Sequence, residues 1–270
     1  MVLLRGQAAL SGFVSLVVAG AFAARGGPDL EPWHEVDLDA EFRAGSDVAS
    51  LDDYLRAEQQ LFEQLDREVV SAERLLEEAE LNRYVRNSRS YPDRDGYDWN
   101  RTRVLEPANI RGAVLMIHGM TDSPYSMRHF AELLYRQGYY VLNQRMPGHG
   151  TVPSGLARID WQDWVAAVEI GARHVETKIG PDQPFIVMGY SNGGSLAINY
   201  TLDSMRDTGL RIPDRLLLLS PMLGVSPLAR FSSIYFWLGK LDFFEKSQWI
   251  DLLPEYDPHK YNSFPMNAPR

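Results

Sequence analysis

A serine held between glycines at the end of an apolar run constrains the fold of this chain more than any other feature. The pentapeptide GYSNG (residues 189–193) follows the apolar run Pro184–Met188 and precedes a helical pattern. This order is typical of a nucleophile elbow, a turn so tight that only glycine fits on either side of the serine. We therefore predict a strand, a sharp turn that lifts the Ser191 hydroxyl clear of a sheet, and a helix.

Strands and helices alternate on both sides of this turn. Apolar runs predict strands over Thr102–Leu105, Ala113–Ile117, Tyr139–Asn143, Pro184–Met188 and Arg215–Leu219. Helical periodicity predicts helices over Tyr125–Gln137, Trp161–Glu176 and Gly193–Ser204. Alternation at this spacing indicates an α/β fold with a mostly parallel sheet, flanking helices and right-handed crossovers.

The composition is that of a globular chain, and it excludes several kinds of site. Of 270 residues, 45% are hydrophobic and 23% are charged, which is enough apolar material for a substantial core. The net charge of −9 argues against nucleic acid as a partner. Because the chain has no cysteine, it forms neither disulfides nor zinc–thiolate sites.

The first residues, 1–28, are predicted to be a signal peptide or a membrane anchor. Arg5 and Arg25 flank the uncharged stretch Gly6–Ala24, whose length lies between a signal-peptide core and one membrane span. An Ala-x-Ala site ending at Ala23 favours cleavage, whereas the length favours a retained anchor; a buried N-terminal helix is the third alternative. For a bacterial source, either leading alternative places the rest of the chain at the membrane, in the periplasm or outside the cell.

Residues 29–100 are predicted to form an acidic helical linker region. From Asp29 to Glu80 the chain carries 17 acidic residues against four arginines. A capping box at Ser50–Asp53 opens a helical pattern that runs from Leu51 to Ala79. One interpretation is a spacer or partner-binding helix. The favoured interpretation is an amphipathic helix that packs on its own domain and leaves an acidic face in solvent.

Ser191 is the candidate nucleophile, with Gly189 and Gly193 as the residues that permit its turn. A serine hydroxyl attacks poorly unless a base removes its proton, so it needs a histidine oriented by a carboxylate. The alternative is a tight strand-to-helix turn without chemistry.

A second motif, His118-Gly119-Met120, follows the predicted strand Ala113–Ile117. Such a loop supplies a backbone N–H to an oxyanion hole, here from Met120, and the second donor is the N–H of Asn192, directly after the nucleophile. We expect His118 to brace the loop by hydrogen bonds rather than to transfer protons.

A third motif, RMPGHG (residues 145–150), follows the next strand. Its two glycines and its proline force a turn at the carboxyl edge of the sheet, near the place where ligands bind in open α/β folds. His149 could reach that pocket, but a structural role is favoured.

Taken together, these motifs resemble α/β-hydrolases of the monoacylglycerol lipase and serine aminopeptidase S33 type. The matching segments are residues 118–127, 145–150, 161–164, 189–194 and 219–221, within a predicted core domain 101–223. The resemblance implies a Ser-Asp-His triad with the acid after a seventh strand and the histidine after an eighth. Those strands usually follow a helical cap inserted behind the sixth.

The chain departs from this family after Pro221. The only histidine there is His259, and no βα unit separates it from the aspartates Asp242, Asp251 and Asp257. We therefore expect an N-terminal part of such a hydrolase, with a sheet incomplete at its C-terminal edge and residues 224–270 as the start of a cap or lid. His259 and His149 are the weaker candidates for a base.

The aromatic stretch Phe231–Trp249 is interpreted either as an apolar lid over a lipid or acyl site, or as an ordinary packing cluster or the start of an unrelated subdomain. The sequence thus predicts a serine hydrolase of esterase or lipase type that acts on small-molecule ester or lipid substrates through Ser191. No metal or cofactor is implied, and the 270-residue chain is expected to be weak or inactive. The alternatives are a non-catalytic hydrolase scaffold, a membrane-tethered interaction protein, or a hydrolase whose triad another chain completes.

Overall fold

The computed structural model describes residues 28–70, 81–93, 96–207, 209–224, 245–246 and 248–269, together with positions 15 and 19. The helices are α1 (Pro32–Glu35), α2 (Leu51–Leu65), α3 (Arg128–Arg136), α4 (Pro153–Leu156), α5 (Trp161–Thr177) and α6 (Asn192–Ser204). The strands are β1 (Arg103–Leu105), β2 (Gly112–Ile117), β3 (Tyr139–Gln144), β4 (Phe185–Tyr190), β5 (Arg215–Leu219), β6 (Trp249–Asp251) and β7 (Phe264–Pro265).

Five strands form the main sheet in the order β1-β3-β2-β4-β5. β1 runs antiparallel to β3, and the other neighbours are parallel, as the alternation of strands and helices predicts. Ile117 at the end of β2 pairs with Gly189, and Tyr190 at the end of β4 pairs with Leu219. The loops that follow β2, β4 and β5 therefore meet at one edge of the sheet.

Both faces of the sheet are covered, which explains why its central strands read as continuous apolar runs. Leu115 and Ile117 belong to the cluster that contains Trp164 of α5 and Ala197 of α6. On the opposite face, Met116 packs in the cluster of Ala131 from α3. All six residues of β2 are buried.

The N-terminal segment that the sequence presented as a linker packs against the sheet domain. Its capping box is confirmed, since the Ser50 hydroxyl accepts the Asp53 N–H at 3.2 Å and the Asp53 carboxylate accepts the Ser50 N–H at 3.1 Å. Tyr54 of α2 is buried in the same cluster as Trp164. This placement agrees with the favoured interpretation, an amphipathic helix that packs on its own domain, rather than with a separate spacer helix. α2 ends at Leu65 and is followed by a π-helical turn over Asp66–Val70. The rest of the predicted helix, from residue 71 to Ala79, lies outside the described residues.

Five elements differ from the sequence prediction. The predicted helix Tyr125–Gln137 begins as a 3-10 turn over Pro124–Met127 before α3, because proline fixes the first turn. The short helices α1 and α4 were not predicted. Neither was the β6–β7 pair, whose strands are too short to show a period.

Some predictions lie largely or wholly outside the described residues. These are the signal or anchor at 1–28, of which only positions 15, 19 and 28 are described, and the aromatic residues from 231 to 244. In the ranges that are described, no helix is long and apolar enough to cross a membrane. Within those ranges β5 lies at the edge of the main sheet, where Leu217 and Leu218 remain exposed.

Candidate active site

Ser191 occupies a sharp turn between β4 and α6. Its backbone torsions are φ 51° and ψ −116°, a region that residues with a side chain rarely adopt. The Ser191 N–H donates to the Leu219 carbonyl at 2.9 Å, and the Ser191 carbonyl accepts the Met222 N–H at 3.0 Å. The end of β5 therefore holds both sides of the turn, and the strained conformation persists because its surroundings determine it.

The glycines that flank Ser191 leave no room for a side chain. A Cβ on Gly189 would lie 2.2 Å from the Gly193 carbonyl oxygen. A Cβ on Gly193 would lie 2.2 Å from the Ile117 carbonyl oxygen and 2.5 Å from that of His118. The contact also shows that the start of α6 lies against the His118 loop, so the structure brings the two motifs together.

His118 is buried and joins two loops by hydrogen bonds. The Met146 N–H donates to His118 Nε2 at 3.0 Å, which makes that nitrogen the acceptor. The proton is therefore on Nδ1, which donates to the Gly119 carbonyl at 2.9 Å. Burial, reinforced by the nearby His149, holds the pKa of His118 well below its usual value. The ring is thus neutral and is used for bracing.

Met120 and Asn192 carry the two N–H groups that the motifs assign to an oxyanion hole. Asn192 is the first residue of α6, so its N–H has no acceptor within the helix. The Met120 N–H has no backbone acceptor in the described part of the chain. Both groups are therefore available to a ligand atom.

His259 lies against an aromatic ring rather than at Ser191. Its ring stacks on Tyr125 with centroids 3.9 Å apart, and its Nδ1 is 3.3 Å from the Asn100 side-chain oxygen. Burial lowers the pKa of His259 to about 4. Among the described residues, no hydrogen bond joins a histidine to Ser191.

His149 is likewise enclosed in protein. Its Nδ1 donates to the Pro147 carbonyl at 2.9 Å, and its ring meets the His118 ring edge-on at 4.9 Å. Burial lowers the pKa of His149 to about 4. These contacts make it part of the packing beneath the loops.

Sequence reasoning missed the role of Arg145 and its partners. The guanidinium is buried, pairs with Glu41 at 2.8 Å and with Glu58 at 3.1 Å, and so ties the N-terminal segment to the 145–150 loop. One signal was available: Glu58 falls on the apolar stripe of α2, where a carboxylate implies a buried partner. Nothing local marks Glu41.

Tyr261 also went unrecognised. Its hydroxyl donates to the Gly148 carbonyl at 3.0 Å and accepts the Thr151 N–H at 2.9 Å, while its own N–H donates to the Thr121 carbonyl at 2.8 Å. It therefore ties the 145–150 loop to the residue after Met120. Within the described residues, no group of three or more acidic or histidine side chains is arranged to hold a metal ion.

A strained serine between a parallel strand and a helix, beside a loop whose Met120 N–H has no backbone acceptor among the described residues, is the arrangement of an α/β-hydrolase. Residues 108–250, just over half of the chain, match the model of the family described as serine aminopeptidase, S33. The chain belongs to that family, which confirms the resemblance seen in its motifs.

Individual relatives give the same picture over shorter lengths. A thermostable monoacylglycerol lipase of Bacillus sp. (strain H-257) is 40% identical over 85 residues, which are 32% of this chain and 33% of the relative. The chain therefore matches about a third of that relative's length.

Two solved structures are similar to part of this chain. One comes from a study of LipS and LipT, two metagenome-derived lipolytic enzymes; it is 22% identical, covers 63% of this chain and 65% of its own, and has a TM-score of 0.48. The other is the monoacylglycerol lipase of Paleococcus ferrophilus, 18% identical over 62% of this chain and 66% of its own, with a TM-score of 0.42. Because both TM-scores lie below 0.5, the assignment rests on the family match.

Proposed function

We propose that this chain is a serine hydrolase that acts on carboxylic esters with Ser191 as nucleophile. The observation that carries the proposal is the positive φ of Ser191 between glycines that admit no side chain. A turn of this kind is costly to maintain, and such strain is concentrated at functional sites. The family membership and the name of the Bacillus relative support the ester as the substrate class.

The proposed reaction uses the described groups as follows. The Ser191 oxygen bonds to the ester carbonyl carbon while its proton passes to a base, and the carbonyl oxygen becomes an oxyanion held by the N–H groups of Met120 and Asn192. Collapse of this intermediate breaks the bond to the alcohol, which leaves with a proton. Water then attacks the acyl-serine, and the acid is released.

Chemical rescue by imidazole tests the proposal even though no described histidine is hydrogen-bonded to Ser191. A fluorophosphonate probe should label Ser191 slowly, and added imidazole should raise the labelling rate because it can take the hydroxyl proton. Ser191→Ala should abolish labelling, and Ser195→Ala, which removes the next hydroxyl in α6, should leave it intact. Mass spectrometry of the labelled peptide identifies the site.

The other outcomes discriminate between the rival functions. Fast labelling without imidazole, lost in His259→Ala or His149→Ala, would show that this histidine serves as base. No labelling at any imidazole concentration would contradict the proposal and favour a non-catalytic scaffold. Comparison of p-nitrophenyl esters with aminoacyl p-nitroanilides then separates ester from peptide-type substrates.

We also propose that residues 1–28 direct export or anchor the chain. The support is the uncharged stretch Gly6–Ala24 between two arginines. Alkaline phosphatase fused after Asn87 should be active outside the cytoplasm in a bacterial host, and deletion of residues 1–28 should abolish that activity. A fusion that is active only after the deletion would contradict the proposal.

A further inference from the structure

The acidic N-terminal segment reaches the 145–150 loop through a buried ion-pair cluster. Arg145 holds Glu41 in a bidentate pair, with Nη2 2.8 Å from Oε1 and Nη1 2.9 Å from Oε2. Its Nε donates to Glu58 Oε2 at 3.1 Å. All three side chains are at most 6% exposed. Bidentate pairing sets the direction of the guanidinium as well as its position.

The same carboxylates also hold the backbone around Arg145. Glu41 accepts the Gly148 N–H at 2.8 Å. Glu58 accepts the Thr102 hydroxyl at 2.7 Å, and that hydroxyl accepts the Arg145 N–H at 3.0 Å. Two glutamates from outside the loop therefore help to hold its backbone at Arg145 and Gly148.

The loop in turn helps to orient the peptide group between Gly119 and Met120, whose carbonyl also accepts the Asp122 N–H at 3.3 Å. Met146, next to Arg145, donates its N–H to His118, and His118 donates to the Gly119 carbonyl at 2.9 Å. The Gly119 carbonyl and the Met120 N–H belong to the same planar trans peptide, so they point in opposite directions. Because the peptide is rigid, the hydrogen bond that fixes the Gly119 carbonyl also sets the direction of the Met120 N–H.

We propose that Glu41 and Glu58 are positioning residues that keep the Met120 N–H aimed at the reacting carbonyl oxygen, acting through Arg145 and His118. The proposal rests on the function proposed above, in which that N–H holds the oxyanion. Donors of this kind work because they are oriented before the reaction begins. Both glutamates lie outside residues 108–250, so the family match does not assign them this role.

The first test does not depend on catalysis. Glu41→Gln and Glu58→Gln remove the charge and keep the size of each side chain. Asp37→Asn is the matched control, because Asp37 is an acid of the same segment that pairs with Arg158 at 2.9 Å but is 57% exposed. Long-range proton–nitrogen NMR spectra report the His118 Nδ1–H and its exchange with water in the full chain.

We expect the His118 Nδ1–H to exchange at least about tenfold faster in the two glutamine variants and at the wild-type rate in the control, since a bond that opens more often loses protection. Glu41→Asp, which keeps the charge but shortens the side chain, should be intermediate, and it replaces Glu41→Gln if that variant does not fold. Unchanged exchange in the folded variants would overturn the proposal.

The second test measures the reaction itself. With imidazole as base, the Ser191-dependent rate at saturating ester should fall about 10- to 100-fold in the glutamine variants, with KM within about twofold, because the lost interaction belongs to the transition state. Wild-type rates in these variants would overturn the positioning role. If exchange changes as expected but even the wild type shows no Ser191-dependent chemistry, the proposed function is wrong and the relay from Glu41 to Gly119 is purely structural.

Discussion

Replacing Ser191 by glycine and by alanine separates the strain of its turn from the loss of its hydroxyl. At φ 51° and ψ −116°, a residue with a Cβ carries strain of about 1–3 kcal/mol, which glycine relieves. Glycine in turn costs about 0.5–1 kcal/mol more conformational entropy than alanine. The backbone bonds to Leu219 and Met222 prevent the turn from relaxing. We therefore expect Ser191→Gly to be more stable than Ser191→Ala by about 0.5–2 kcal/mol.

Ser204, in the last turn of the same helix α6, provides the matched control pair. Ser204 lies in the helix, where glycine loses more conformational entropy than alanine. Ser204→Gly should therefore be less stable than Ser204→Ala by about 0.5–1 kcal/mol. Urea denaturation followed by circular dichroism, analysed with one m-value for all four variants, measures both differences in unfolding free energy. The glycine variant should be the more stable of the two at position 191 and the less stable of the two at position 204. If glycine at position 191 is no more stable than alanine, the elbow is not held in the strained conformation and the reasoning fails.

Three further predictions concern stability. Gly193→Ala should destabilise the fold by about 3 kcal/mol, because the new Cβ would overlap backbone carbonyls, whereas Gly180→Ala, with free space, should be near neutral; equal stabilities would contradict the packing. Burial raises the pKa of Glu255 to about 7, so its contribution to stability is present below pH 4.5 and is lost as the pH rises through 7. Glu255→Gln should therefore exceed the wild type in unfolding free energy by up to about 3 kcal/mol at pH 8. Near pH 4 the variant should be no more stable than the wild type. Burial lowers the pKa of His34 and His149 to about 4, so their contribution is present above pH 6.5 and is lost as the pH falls. Unfolding free energy should drop by up to about 1.4 kcal/mol per pH unit for each histidine between pH 6 and 5, and His34→Gln should reduce that slope; an unchanged slope would be the contrary result.

The strands and the elbow were predictable because their signals are local. β2 through β5 begin and end within one residue or two of the apolar runs that predicted them. The turn at Ser191 could be predicted because an apolar run, a serine between two glycines and a helical pattern follow one another directly in the chain. Burial on both faces makes the runs of β2, β3 and β4 continuous, whereas β5 is an equally continuous apolar run although its residues remain partly exposed at the sheet edge.

The N-terminal segment shows where this local information ends. Its periodicity and capping box determined α2, and the carboxylate of Glu58 on the apolar stripe marked a buried partner without identifying it. No pattern indicated Glu41. Its partner Arg145 is 104 positions away, and the two meet only because the segment packs across the carboxyl edge of the sheet.

The amino-acid sequence by itself thus determined the α/β architecture, the turn at Ser191 and the family of the chain, because each depends on residues that are close in the chain. The tertiary structure decided which side chains meet: the Arg145 cluster, the neutral His118 bridge and the placement of His259 on Tyr125 rather than at Ser191. Such contacts join segments that are distant in the chain, and their partners are selected by how the elements pack, which residue spacing along the chain does not encode.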